Sequence, residues 1–100
     1  MGTVQHDCVI AVGNDLQHAK DWIAKLPLTQ QEVFIITRTT SEPVDIIIMR
    51  PDGSKHGWTN SDIYDRVRNR FIQSLRRCKW VHVSFGELGL EVKSNVQKAV

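Results

Sequence analysis

Hydrophobic residues along this chain follow two spacings, one typical of strands and one typical of helices. Runs of apolar or β-branched residues at positions 8–12, 32–40, 44–49 and 80–85 predict four strands. Apolar residues recur every three or four positions over 15–26 and 60–78, which predicts two amphipathic helices. Two shorter runs, 54–58 and 90–92, follow glycine-containing turns and are candidates for additional strands.

The order of these elements is strand, helix, strand, strand, helix, strand, and it resembles the ferredoxin-like split βαβ pattern. We therefore predict one α+β domain over residues 1–100, with two helices on one face of a four- to five-stranded, mostly antiparallel sheet. Residues 1–7 and 93–100 are expected to be flexible ends.

The predicted sheet leaves its second face uncovered. The isoleucine run 46–48 places apolar side chains on both faces of its strand, and only one of those faces can meet the helices. A homodimer through the open sheet face would cover the other, and the C-terminal tail is the alternative cover. Self-association is therefore one of the expected interactions of this chain.

The composition sets few limits on function. With 13 Lys and Arg against 11 Asp and Glu, the net charge of +2 permits a nucleic-acid partner without requiring one. Cys8 and Cys78 are too few for a disulfide-rich secreted scaffold, so buried thiols and a cytoplasmic location are expected. No apolar run approaches the ~18 residues that a membrane helix needs, and no membrane contact is predicted.

The second predicted helix carries a basic stripe beside its apolar face. At the helical spacing the stripe contains Arg66, Arg70, Gln73 and Arg77. Arginine forms paired hydrogen bonds to carboxylates and phosphates, so the stripe predicts an acidic partner, either nucleic acid or protein. A solvated helix face that keeps a small domain soluble explains the same residues. Trp58 and Trp80 lie at element boundaries, where each is either an exposed ring able to stack on a base or an edge of the core.

Two short patterns suggest an enzymatic alternative. His82 and Ser84 form a His-x-Ser pattern on the last main strand, which resembles one half of the motif of two-histidine phosphoesterases. That family uses two copies in a longer chain, and here there is one. Asp15 follows the first strand, where small dimeric CRISPR-associated nucleases of the same element order place a metal-binding acid. The alternative function is therefore a small dimeric metal-dependent nuclease or phosphodiesterase, although a first-turn helix acid explains Asp15 equally.

No phosphate loop, nucleophile elbow or metal-ligand spacing occurs in the sequence, so neither a cofactor nor a metal is expected. The third strand lacks the aromatic residues of RNA-recognition domains that share this strand order. The sequence therefore favours a non-enzymatic binding or regulatory module, of the kind found among viral or mobile-element accessory factors and inhibitors. Its expected contacts are the arginine stripe, with Trp58 and His82 as further binding residues.

Overall fold

A computed structural model of the chain describes residues 4–14, 16–41, 44–53, 59–75 and 78–96. Within them the chain forms five strands and three helices: β1 (Gln5–Gly13), α1 (Gln17–Ala24), α2 (Leu28–Gln31), β2 (Phe34–Arg38), β3 (Asp45–Met49), α3 (Thr59–Gln73), β4 (Lys79–Gly86) and β5 (Gly89–Ser94). The strands make one antiparallel sheet in the order β2-β3-β1-β4-β5. The predicted α+β class is confirmed, and the single turn α2 is a third helix that the apolar pattern did not predict.

The core lies between one face of the sheet and the two longer helices. Side chains alternate along β1, so Val9 and Ala11 are fully buried, and the same alternation buries Ile47 and Met49 on β3. The helical side contributes Leu16, Ala19, Ile23, Val67, Phe71 and Leu75. All of these belong to one cluster, which shows that α1 and α3 cover the same face of the sheet.

Three aromatic rings connect the layers of this core. Phe71 of α3 is fully buried and meets Phe34 of β2 edge to face, with ring centroids 5.0 Å apart. Its other neighbour is Trp22 of α1, whose ring is nearly parallel to it at 6.4 Å. Such ring pairs add to the area that aromatic side chains bury. Phe71 therefore links both helices to the sheet edge.

Several element boundaries differ from the sequence prediction. Gln5 pairs with Gly86, and Ser94 pairs with Val81, so parts of both predicted flexible ends belong to the sheet. α3 ends at Gln73 instead of continuing to residue 78, because the amide of Ser74 donates to the carbonyls of two preceding residues and tightens the last turn. The predicted strand at 54–58 lies outside the described residues.

A close backbone contact at Gly86 gives a first prediction. Gly86 has a φ of 151°, and a Cβ built there would lie 2.5 Å from the carbonyl oxygen of Val4. We expect Gly86→Ala to lower the free energy of unfolding by about 2 kcal/mol, because the strand or the turn must shift. Gly89→Ala is the matched control: its φ is also positive, but no atom lies within 4 Å, so about 1 kcal/mol is expected. Urea denaturation measures both variants. If Gly86→Ala and Gly89→Ala lost the same free energy of unfolding, the contact with the Val4 carbonyl would not be the cause of the loss.

Candidate functional site

A groove of about 290 Å³ lies between the α1 segment and α3. It is lined by four apolar residues, Trp22, Leu26, Ile63 and Val67, and by three polar ones, Gln30, Arg66 and Arg70. Arg66 and Arg70 are exposed and lie one turn apart on α3, so both can border one groove. The α1–α3 groove thus combines apolar side chains with two cations.

The two arginines of the groove are among the described cations that form no salt bridge, as are Lys25, Arg50 and Lys79, whereas other cations are paired. Lys20 and Arg38 both bind the Asp45 carboxylate, at 2.8 and 3.1 Å, and thereby hold its pKa below the ordinary value. Arg66 and Arg70 form no salt bridge with any residue in the described part of the chain. Their charges are therefore available to an external acidic group.

The predicted basic stripe is present in part. Arg66, Arg70 and Gln73 are all exposed on α3, and the first two border the groove, whereas Gln73 is not among the residues that line it. Arg77 and Trp58 lie outside the described residues. The groove was missed in the sequence because it requires α1 to pack against α3, which brings residues about 45 positions apart into one surface.

His82 belongs to a different part of the molecule. On the helix side of the sheet, its Nε2 lies 2.9 Å from Oδ1 of Asp7, and Nη1 of Arg68 lies 3.7 Å from the other carboxylate oxygen. Arg68 also donates to Asp65 at 2.7 Å, and Gln5 donates to the Ser84 hydroxyl at 3.0 Å. We call Asp7, Arg68, His82 and Ser84 the Asp7 cluster; it joins β1, α3 and β4.

The Asp7 cluster is a buried ionic network. Burial raises the pKa of Asp7, but hydrogen bonds from His82 and Ser84 and the positive charge of Arg68 outweigh that effect and hold the pKa below 3.8. Asp7 is therefore ionised at neutral pH, which makes it an acceptor and assigns the bridging proton to Nε2 of His82. Arg68 is only 5% exposed, and its Nε has no partner among the described atoms.

A signal for this cluster is present in the sequence. Arg68 lies on the apolar stripe of α3, four residues after Tyr64 and three before Phe71, where a cation is expected to need a buried acid. The acid is Asp7, which sequence reasoning assigned to a flexible end. Asp7 and Arg68 lie far apart in the sequence, so no local pattern predicted that they would pair.

The geometry of the Asp7 cluster gives no support to phosphoester chemistry. His82 and Ser84 point to the same side of β4, as their spacing requires, but both bond the ionised Asp7. A hydroxyl bonded to the carboxylate is not placed for activation by the imidazole, and the carboxylate opposes a phosphate. The adjoining pocket of about 190 Å³ is also bordered by Glu91 and Lys93. Within the described residues no group of three acidic, His or Cys side chains is placed to hold a metal ion; Asp15 lies outside them.

The sheet face opposite the helices is apolar across all five strands. By strand pairing, its apolar residues are Cys8, Ile10, Val12, Ile35, Ile46, Ile48, Val81, Val83, Phe85, Leu90 and Val92, which we call the open face. Its most exposed members reach 73% for Leu90 and 56% for Val92. The isoleucine run divides as predicted, with Ile47 in the core and its two neighbours on the open face.

No protein-family model matches the chain, and no curated protein or solved structure is significantly similar to it. In the described part of the chain, none of the helices has the length and apolar character needed to cross a membrane. The function must therefore be inferred from the chemistry of the surfaces.

Proposed function

We propose that the protein is a non-enzymatic binding module that recognises an acidic segment of a partner protein in the α1–α3 groove. The observation that carries this proposal is the exposed pair Arg66 and Arg70, unpaired within the described chain and bordering a groove that is also lined by apolar residues. Carboxylates of the partner would bind the two guanidinium groups, while an apolar side chain would enter the groove beside Trp22 and Ile63.

A protein partner is favoured over a nucleic acid by the aromatic ring that lines the groove. Proteins that bind single strands stack bases on exposed rings. Trp22, the described ring of the groove, is instead half-buried and stacked on Phe71. The apolar part of the lining suits an aliphatic or aromatic side chain better than a sugar-phosphate backbone.

We infer that the scaffold of this module is the ferredoxin-like split βαβ arrangement. The support is the pairing: β3 lies between β1 and β2, and β1 lies between β3 and β4, with every neighbouring pair antiparallel. Each helix-containing connection therefore skips one strand. β5 extends this four-strand unit at the β4 edge.

The nuclease or phosphodiesterase alternative is not favoured by any observation in the described residues. Its two elements were His82 with Ser84, which are both held by Asp7, and Asp15, which lies outside the described residues. We therefore propose recognition rather than hydrolysis.

Fluorescence anisotropy with defined probes tests the proposal. The probes are a fluorescein-labelled peptide in which Leu and Phe are flanked by Glu pairs, the same peptide with Gln for Glu, and a single-stranded DNA of the same charge. We expect the acidic peptide to bind best. The double variant Arg66→Ala with Arg70→Ala should weaken its binding by about tenfold, because each exposed ion pair contributes up to about 1 kcal/mol.

A control variant that loses the same charge distinguishes binding in the groove from nonspecific electrostatic attraction of the acidic peptide. Arg50→Ala with Lys93→Ala removes the same charge from exposed positions outside the groove and should leave the peptide affinity nearly unchanged. Equal losses in both double variants would contradict a groove site. Tighter binding of the DNA with the same dependence on Arg66 and Arg70 would replace the protein partner by a nucleic acid.

A further inference from the structure

The open face exposes about as much apolar surface as the largest patches found on monomeric proteins. Apart from its apolar members, the strand residues on this side of the sheet are His6, Thr37, Lys79 and Ser94. Exposed fractions of 37% for Ile10, 48% for Ile35, 44% for Phe85 and 73% for Leu90, together with the other members of the open face, give an apolar area on the order of 600 Å². Monomeric proteins rarely leave a larger continuous patch in water.

We propose that a second copy of this chain covers the open face, so that the protein is a homodimer of two sheets packed face to face. A standard interface buries ~800 Å² on each partner, and the open face with its polar rim approaches that size. Two twisted sheets whose facing side chains are aliphatic interdigitate about 10 Å apart. Apart from Lys79, which lies at the beginning of β4 beside Val12, no Lys, Arg, Asp or Glu is found among the described strand residues of the open face.

The strand order makes this face suitable for a two-fold interface. β1 is the middle strand, with two strands on either side. A two-fold axis that passes over β1 places β1 opposite β1 of the second copy, whether the axis runs along the strands or across them. Ile10 then lies near the centre of the interface, and Cys8, on the same side of β1, lies close to it.

This dimer is independent of the proposed recognition function. The α1–α3 groove belongs to the helical layer on the opposite side of the sheet, so dimerisation leaves both grooves exposed and directs them away from each other. A monomeric protein that still binds the acidic peptide would overturn the dimer alone.

Sedimentation equilibrium on the full chain tests the proposal. We expect a dimer at micromolar concentration, and at least a tenfold weaker dimer in Ile10→Lys, because a lysine at the centre would be buried without a partner. Val92→Lys, on the exposed edge strand β5, is a second face variant with little risk to folding, since Val92 is 56% exposed. Leu28→Lys is the control, because Leu28 is 77% exposed but lies on α2, away from this face.

Modification of Cys8 gives an independent readout. N-ethylmaleimide should react with Cys8 more slowly at concentrations where the dimer forms than at concentrations where it has dissociated, and Cys8→Ser should show no such reaction, because Cys78 is buried and Cys8 is on the open face. A monomer at high micromolar concentration would overturn the proposal. So would a dimer that is unchanged by both face variants, provided that circular dichroism shows each variant to be folded.

Discussion

Replacing Phe71 by alanine is expected to lower the free energy of unfolding by about 3–5 kcal/mol, as is usual when a buried aromatic ring is deleted. Phe71 is fully buried and is the ring that both Phe34 and Trp22 contact. Its loss removes the ring contact between α3 and Phe34 of β2 and leaves a cavity beneath the α1–α3 groove, because Trp22, which Phe71 contacts, lines that groove. The free energy is measured by urea denaturation at one protein concentration, since dimerisation would make stability depend on concentration.

Two comparison variants make the Phe71 prediction specific. Phe71→Leu keeps most of the volume and should lose clearly less stability than Phe71→Ala. Leu88→Ala removes an apolar side chain that is 66% exposed in the β4–β5 turn, and a change within about 0.5 kcal/mol is expected. If Phe71→Ala cost no more than Leu88→Ala, Phe71 would not be the residue that joins the layers.

The sequence predicted best those elements whose apolar residues follow a regular spacing within one short segment. β3, with its isoleucines, and α1, with an apolar stripe, lie where their patterns placed them, apart from shifts at their ends. The beginning of β1 was missed because Gln5, His6 and Asp7 have little strand propensity of their own. They are extended because they pair with Ser84, Phe85 and Gly86 at the far end of the chain.

The candidate site also contains features that a local pattern predicts and features that depend on long-range packing. The helical spacing of Arg66 and Arg70 was sufficient to place both on one exposed stripe of α3. That they border a groove depends on the packing of Trp22 against α3, which no local pattern encodes. Arg68 was not assigned to the basic stripe, and its position between Tyr64 and Phe71 on the helix is a buried one.

Asp7→Asn is expected to lower the free energy of unfolding by about 3 kcal/mol at neutral pH. The variant keeps the shape of the side chain but leaves the nearly buried Arg68 with Asp65 as its only described carboxylate. Breaking a buried ion pair by removing one partner costs about 3–5 kcal/mol, and the lower end applies because a small pocket reaches Asp7. Asp65→Asn is the control: Asp65 is 44% exposed, so water can replace part of its contact with Arg68, and a smaller loss than that of Asp7→Asn is expected.

A second substitution tests whether the loss of stability in Asp7→Asn comes from the unpaired charge of Arg68. Arg68→Met, added to Asp7→Asn, replaces the buried cation by an apolar side chain of similar length. Exchanging both members of a buried ion pair is often nearly neutral, so the double variant should recover most of the lost stability. If the double variant lost as much stability as Asp7→Asn and Arg68→Met lose separately when added together, the pairing of the two charges would not explain the loss. The other contacts of each side chain would then account for it.

The pH dependence of the difference between wild type and Asp7→Asn is the sharper test. The folded-state pKa of Asp7 is lowered, so its contribution is complete above its ordinary value of 3.8 and disappears as the pH falls through the lower folded value. Wild type should therefore lose its advantage over Asp7→Asn in acid, because protonation removes the same charge that the substitution removes. A difference that stayed constant from neutral pH to well below 3.8 would contradict a stabilising carboxylate at this position.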